Sequence, residues 1–178
     1  MKRNPLIITT GLALLVIFGA LLFCFQVRTT EVAIVTTFGK PTRPEMEPGL
    51  YFKWPAPIQR VYKLDKRIQN FDGKYEESTT PDNINILVMT YCGWRISDPA
   101  AFFPKFEGGS VSEAEKILES IVRSAQNEVV GKHPFPEFIS TDKDKLKFAA
   151  IEDEIFTKVQ QRVATNNYGV EIKFVGIK

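Results

Sequence analysis

The sequence predicts an α+β fold that follows an N-terminal transmembrane helix. Three observations lead to this prediction. Asn4 to Val27 is a run of 24 residues without a charged side chain. Residues 31–96 alternate apolar and polar side chains in several short segments, as strands do. Residues 110–165 carry apolar side chains at helical spacing. Strands followed by helices indicate helices packed on one face of an antiparallel sheet.

The uncharged run is interpreted as a membrane anchor. At 1.5 Å per residue, a helix of this length reaches about 36 Å, enough to cross a hydrocarbon core of about 30 Å. We expect a transmembrane helix over residues 5–27, after a short N-terminus of residues 1–4. No later segment is long and apolar enough to cross again, so one span is expected. The expected anchor residues include Leu12, Leu15, Phe18 and Leu22.

A cleaved signal peptide is the main alternative for this segment. Signal peptides have an apolar core of about 7–15 residues and a cleavage site of small residues. Here the core is longer, and large side chains at Phe23 and Phe25 occupy the place of a cleavage site. Phe23 is also too bulky for lipoprotein processing at Cys24. We therefore expect the anchor to be retained, although a secreted binding protein or enzyme with a misread signal peptide remains an alternative.

The charges that flank the anchor predict its orientation. Lys2, Arg3 and the terminal amine precede the run, whereas Arg28 and Glu31 follow it. Positive charge near a span favours the cytoplasmic side. We expect a cytoplasmic N-terminus, with the remaining domain on the extracytoplasmic side of a cell membrane.

A β-rich, membrane-apposed subdomain is expected over residues 29–109. Val, Ile and Thr dominate its first segment, EVAIVTTF, which ends before Gly39. Ile58–Leu64 is expected to pair with the preceding aromatic strand as a hairpin, and Thr42–Pro48 to form a loop. Tyr75–Thr79 is expected to pair with Arg67–Phe71. The predicted strands are Glu31–Phe38, Pro48–Trp54, Ile58–Leu64, Arg67–Phe71, Tyr75–Thr79 and one continuous strand Ile84–Ile96.

The aromatic strand offers candidate membrane contacts. Tyr51, Phe52 and Trp54 surround Lys53 between two proline-bounded turns. Core packing is the plain interpretation, and seating among lipid headgroups, where Trp and Tyr concentrate, is the alternative. Because successive strand residues point to opposite faces, we expect Phe52 and Trp54 to face the membrane and Tyr51 to face the sheet. Lys53 would reach lipid phosphates at the rim.

A helical subdomain is expected over residues 110–178, after a boundary at Gly108-Gly109. Its first helix begins at a capping box, either Ser112 with Glu115 or Ser110 with Glu113, and ends at Gly131. The other expected elements are a short helical turn at Ala100–Phe106, a rigid connector at 133–136, a second helix from about Asp142 to Thr165 and a closing strand at Val170–Ile177.

Composition and motifs give catalysis little support. Lys and Arg total 23 and Asp and Glu total 21, so removal of Lys2 and Arg3 leaves 23 − 2 = 21 of each sign, which argues against nucleic acid. The single histidine, His133, lies on the connector without a paired nucleophile. Cys24 is placed in the anchor and Cys92 in a strand, so no disulfide is expected. We expect no catalytic, cofactor or metal site and no small-molecule substrate.

Several blocks in order resemble the SPFH (band 7, stomatin–prohibitin–flotillin) family. They are TTEVAIVTTFGK, EPGLYFKWPAPIQRVYKLDKRIQNFDG, YCGWRISDPAAFF and the closing YGVEIKFVGIK, together spanning residues 29–178. The resemblance implies a short N-terminal anchor, a membrane-apposed first subdomain and a helical second subdomain. In the family, the closing strand leads into a long charged coiled coil, whereas this sequence ends at Lys178.

Within the family, the resemblance is greatest to the bacterial HflC type. It implies a non-enzymatic membrane scaffold that assembles with an HflK-type SPFH partner into a hetero-oligomeric ring or cage around a patch of membrane lipid. Its implied target is the FtsH-type AAA protease, whose choice of membrane substrates such proteins modulate. A stomatin-like regulator of a channel or of another membrane protease is the alternative within the family.

Overall fold

The structure is a computed structural model that describes residues 5–142 and 144–178. The chain divides into two compact units, Met1–Asp65 and Lys66–Lys178. The first unit contains one helix and five strands, and the second contains four helices and five strands, counted over the described residues. All strand pairs described in both units are antiparallel, as the sequence predicts.

Helix α1, Pro5–Phe23, opens the first unit and is shorter than the expected helix over residues 5–27. The last four residues of the uncharged run form strand β1, Cys24–Val27, so Cys24 lies in a strand and not in the helix. Phe25 and Val27 are buried and Gln26 is exposed, which is the alternation of a strand with one face on a core. Within the described residues, no helix combines the length and the apolar character needed to cross a membrane.

The remaining strands of the first unit form two small sheets. Strand β2 is the central strand of a three-stranded sheet with the order β3-β2-β5, and β1 pairs with β4 alone. The hairpin expected between the aromatic strand and residues 58–64 is wrong, because β4 pairs with β1 and β5 pairs with β2. Part of the loop expected at Thr42–Pro48 belongs to β3. The bounds are Glu31–Thr37 for β2, Lys40–Glu45 for β3, Gly49–Phe52 for β4 and Gln59–Asp65 for β5.

The core of the first unit covers both faces of β2. Five consecutive residues from Val32 to Thr36 are buried. The sequence pattern predicts one buried face, which holds Val32, Ile34 and Thr36. The other face is buried because Ala33 and Val35 pack in one cluster with Phe25 and Val27 of β1. The β1–β4 ribbon thus supplies a layer of the core that the alternation in β2 does not reveal.

The second unit contains a sheet with the order β10-β9-β6 and a separate ribbon of β7 and β8. The continuous strand expected over residues 84–96 divides at Met89, which exchanges main-chain hydrogen bonds with Lys178 (Met89 N to Lys178 O 2.9 Å, Lys178 N to Met89 O 2.8 Å). The chain therefore changes its pairing partner at this residue. The pairing expected between Tyr75–Thr79 and Arg67–Phe71 is wrong, because β7 pairs with β8 and β6 pairs with β9. The bounds are Gln69–Asp72 for β6, Glu76–Thr79 for β7, Asn85–Val88 for β8, Thr90–Ile96 for β9 and Val170–Ile177 for β10.

Four helices complete the second unit. Helix α3 begins after Ser110, whose Oγ accepts the Glu113 amide at 3.4 Å, so the Ser110 cap is the one used. Helix α5 begins at Phe148 and not near Asp142, because the Lys147 amide donates to the Glu137 carbonyl of α4 at 2.9 Å instead of entering a helix. The bounds are Pro99–Lys105 for α2, Val111–Val130 for α3, Phe135–Phe138 for α4 and Phe148–Asn166 for α5.

A single core joins the sheet and the helices of the second unit. Trp94 of β9 is fully buried and its ring lies 6.3 Å from that of Phe102, which lies 4.6 Å from that of Phe106. Helices α3 and α5 contact each other, α3 contacts β7 and β9, and α5 contacts β10. The subdomain boundary expected at Gly108-Gly109 lies inside this unit, because β6, β9 and β10, which come from both sides of it, share one sheet.

Candidate membrane-contacting surface

The end of α1 connects directly to the β1–β4 ribbon. No loop separates Phe23, the last residue of α1, from Cys24, the first residue of β1. The main-chain oxygen of Phe23 accepts a hydrogen bond from the Lys53 amide at 2.7 Å, just after the end of β4. Cys24 lies opposite Phe52 in the ribbon. The helix end is therefore held by backbone hydrogen bonding to the residues that the sequence identifies as candidate membrane contacts.

Three aromatic rings form a cluster at this junction, which we call the aromatic triad: Phe23, Phe52 and Trp54. The rings of Phe23 and Phe52 stack at 5.7 Å with an interplanar angle of 8°. The Trp54 ring stands edge-on to both, at 6.5 Å from Phe23 and 6.0 Å from Phe52. Phe52 and Trp54 remain 55% and 53% exposed. The triad is ordered by its own ring contacts, yet it presents about half of these two side chains to the surroundings.

The opposite face of the ribbon packs into the core. Tyr51 stacks on Phe25 at 5.7 Å, and both belong to or border the cluster with Val35. The Tyr51 hydroxyl donates to the Glu47 carbonyl at 2.9 Å. Strand alternation therefore places Tyr51 on the core side and Phe52 on the exposed side, as the sequence predicts for these two positions. Whether the exposed side meets lipid stays a prediction.

Lys53 and Trp54 follow the end of β4, so strand alternation does not fix their side chains. The Lys53 side chain is half-buried, and its predicted reach to lipid phosphates stays a prediction. The Trp54 amide donates to Oε1 of Gln59 at 2.9 Å, and the Gln59 amide group donates to Oγ1 of Thr37 at 3.2 Å. This side chain joins the Trp54 loop to the turn between β2 and β3.

That turn exposes Phe38, an apolar residue that the sequence analysis placed inside a strand. The expected strand Glu31–Phe38 ends one residue earlier, and Phe38 has a left-handed backbone with φ of 48°. Its side chain is 76% exposed, and its amide donates to the Ile58 carbonyl at 3.0 Å. The Phe-Gly pair after a β-branched run is the signal that marks this turn, because Gly39 also needs a positive φ. Exposed aromatics are thus present in two loops that Gln59 connects.

A cleft of about 360 Å³ lies beside this turn. Phe38 and Ile58 supply apolar walls, and Arg60 places an exposed guanidinium on its polar side. Another guanidinium lies near the triad, since Nη2 of Arg43 donates to the Phe52 carbonyl at 2.9 Å while its Nε pairs with Glu45 at 2.5 Å. Apolar side chains flanked by cations match the chemistry of a bilayer interface, where aromatic rings lie beside anionic headgroups.

The sequence-selected residues of the anchor lie on α1 and do not pack against the fold. Leu12, Leu15 and Phe18 are each more than 60% exposed, and Leu22 is 41% exposed. In water such a surface would be costly, because each large apolar side chain gains about 1.5–3 kcal/mol when it leaves water. Exposed apolar surface of this extent indicates a partner or a lipid environment.

The cysteine of β9 and the single histidine, which could in principle serve catalysis or metal binding, occupy structural positions. Cys92 is buried in β9, where desolvation raises the pKa of its thiol to about 12, so the thiol is inert at neutral pH. Both ring nitrogens of His133 contact carboxylates, those of Glu137 and Glu154. Across residues 5–142 and 144–178, no three His, Cys, Asp or Glu side chains are arranged to hold a metal ion.

Comparison with known proteins places the chain in a family. The model of the SPFH domain / Band 7 family matches residues 25–178. The Vibrio cholerae Protein HflC is 31% identical over 132 residues, which are 71% of this chain and 40% of that protein. The Escherichia coli K12 protein named Modulator of FtsH protease HflC is 30% identical over 149 residues, 75% of this chain and 44% of that protein.

A third relative matches a similar share of this chain. Protein HflC of Buchnera aphidicola is 30% identical over 128 residues, 68% of this chain and 41% of the relative. The chain thus spans less than half the length of these curated relatives. The family model begins within β1, immediately after α1, and continues through both compact units to the final strand. The chain belongs to the SPFH domain / Band 7 family.

Proposed function

We propose that this protein is a non-enzymatic membrane scaffold of the HflC type, and that the aromatic triad seats its first unit on a lipid bilayer. The observation that carries the proposal is the direct connection of α1 to the triad. The triad begins at the last residue of α1, so insertion of that helix would bring Phe52 and Trp54 to the bilayer surface. In this proposal α1 is the membrane anchor and the domain that follows it lies outside the cytoplasm.

The charge flanking the anchor supports the orientation. Lys2 and Arg3 precede the uncharged run and Arg28 follows it, so the positive-inside tendency favours a cytoplasmic N-terminus. The ribbon and the rest of the chain after α1 would then lie outside the cytoplasm.

The relatives suggest the partner. One of them bears the name Modulator of FtsH protease. By analogy, we propose that this chain assembles with an HflK-type SPFH partner into a ring or cage and modulates an FtsH-type AAA protease. A stomatin-like regulator of a channel or another membrane protease is the second candidate, since it would use the same family fold and the same membrane-seated surface.

Liposome flotation tests the lipid contact. A shortened chain of residues 23–178, which keeps Phe23 but lacks the rest of α1, should float with vesicles that contain anionic phospholipid, and Phe52→Ser with Trp54→Ser should reduce the floating fraction. Both side chains are about half exposed, so this double variant should lose less thermal stability than a chain that lacks the buried ring of Phe25.

The matched control removes exposed apolar surface from the second unit. Leu87→Ser with Ile139→Ser changes two side chains that are 69% and 68% exposed, so it lowers the surface hydrophobicity by a similar amount. Flotation of this control should equal that of the parent. Equal flotation of the triad variant and the parent contradicts the proposed lipid contact. A drop in the melting temperature of the triad variant as large as that of Phe25→Ser contradicts it as well.

A further inference from the structure

The single histidine lies between two carboxylates that belong to different helices. His133 follows α3, and its Nδ1 lies 2.6 Å from an oxygen of Glu137 in α4. Its Nε2 lies 3.0 Å from an oxygen of Glu154 in α5. The ring also stands edge-on to Phe138 at 6.5 Å. One imidazole therefore connects the corner after α3 to both following helices.

With both carboxylates ionised, this geometry requires a protonated ring. Ionised carboxylates only accept hydrogen bonds, and a neutral imidazole carries one N–H, so it can donate to one of the two carboxylates but not to both. In the imidazolium form both nitrogens donate, and both contacts are satisfied. The two short distances at one ring are thus compatible only with the charged state of His133.

The electrostatics of the surrounding groups agree with this requirement. Burial of the ring opposes its protonation, but hydrogen bonds and charge from Glu137 and Glu154 outweigh burial and hold the pKa of His133 above its usual value of 6.5. Lys147 faces Glu137 at 2.6 Å, and together with His133 it holds the pKa of that carboxyl below its usual range. On the α5 side, Lys158 lies close enough to Glu154 for a charge interaction.

We propose that His133 is a pH-sensitive connection that bonds the α4 corner to Glu154 of α5 only while its ring is protonated. On deprotonation the ring keeps one hydrogen bond. Glu137 is the nearer of the two acceptors, so the contact to Glu154 is the one that is lost. The α4 corner then loses its hydrogen bond to Glu154 and keeps its contacts with Lys147 at the start of α5.

Other contacts limit the change to the α4 corner. The Phe135 amide donates to Asp82 at 3.2 Å, and the Lys147 amide donates to the Glu137 carbonyl at 2.9 Å, in either protonation state. The second unit therefore remains folded while α4 becomes less protected. Because the folded-state pKa is raised, the stabilising contribution is complete below pH 6.5 and is lost as the pH rises through the folded-state pKa.

A proton NMR titration of the full chain in detergent micelles tests the first half of the proposal. His133 is the only histidine, so its C2 proton signal has one assignment. The expected result is a midpoint above pH 6.5 for the parent and a lower midpoint for Glu154→Gln. Asp153→Asn is the matched control, since Asp153 is an exposed neighbouring carboxylate on α5, and it should keep the midpoint of the parent.

Hydrogen exchange followed by mass spectrometry tests the second half. After correction for the intrinsic pH dependence of exchange, residues 134–139 should lose protection above the titration midpoint in the parent. His133→Gln should show the reduced protection at every pH, and His133→Arg, which keeps a cation between the carboxylates, should show a weaker pH dependence. A midpoint at or below 6.5, or protection that changes with pH equally in the parent and His133→Gln, overturns the proposal.

Discussion

The two faces of the β1–β4 ribbon should respond differently to the loss of an aromatic ring. Phe25 is 9% exposed and packs in the cluster with Val27, Ala33 and Val35. Phe25→Ala removes this ring from a core that cannot close the space, so we expect a loss of about 3–5 kcal/mol in the free energy of unfolding. Phe52, which lies on the exposed face of the same ribbon opposite Cys24, provides the comparison.

Phe52→Ala is the matched control, since it removes the same ring from the same ribbon. Complete burial of a phenylalanine contributes about 1.5–3 kcal/mol, and Phe52 is 55% exposed, so about half of this, roughly 1 kcal/mol, should be lost. Stacking on Phe23 at 5.7 Å adds about 0.5–1.5 kcal/mol. The expected total of about 1–3 kcal/mol lies at or below the range for Phe25.

Urea titration of the full chain in mild detergent measures both variants, with the midpoint and the slope compared at each position. Tryptophan fluorescence follows unfolding through Trp54 in the first unit, where both changes lie, and through Trp94 in the second unit. The reasoning is refuted if Phe52→Ala costs as much as or more than Phe25→Ala. It is also refuted if Phe25→Ala leaves the unfolding midpoint of the first unit unchanged.

Two further predictions concern a glycine and the cellular partner. Gly169 has a φ of 71°, and a Cβ there would lie 2.3 Å from the main-chain oxygen of Asp98, so Gly169→Ala should combine a backbone penalty of about 1–2 kcal/mol with a steric clash and lower the melting temperature markedly. Gly39→Ala, at a φ of 83° with open space around it, should show the backbone penalty alone; an equal loss at both positions would refute the steric argument. Affinity purification of the full chain from membranes should recover an AAA protease and a second SPFH protein, whereas recovery of a channel instead would favour the stomatin-like alternative.

Local periodicity predicts where the helices and strands of this chain lie better than it predicts which strands pair with each other. The closing strand at Val170–Ile177 and the helix that ends at Gly131 agree with the sequence because capping, turn residues and alternation are local properties. Pairing is decided by contacts distant in sequence. The ribbon partner of β4 lies in the uncharged run, where apolar composition indicates a helix and conceals the strand alternation of Phe25 and Val27.

At the candidate membrane-contacting surface, too, the sequence predicts local features but not contacts between distant segments. Alternation predicts the opposite faces of Tyr51 and Phe52, because both lie inside β4. It does not predict the third ring of the triad, since Phe23 comes into contact only through the pairing of β1 with β4. Nor does it predict the exposure of Phe38, because the sequence pattern continues β2 by one residue beyond its observed end.

The short distance between α1 and the ribbon has a mechanical consequence for the proposed function. A flexible linker between an anchor and a domain would let the domain rotate freely above a membrane. Here the Lys53 amide bonds to the Phe23 carbonyl, and the rings of Phe23 and Phe52 stack at an interplanar angle of 8°. Rotation about the end of α1 would break both contacts. A scaffold that assembles side by side needs its subunits in one orientation, and the stacked junction supplies a restraint on orientation that the anchor alone would not.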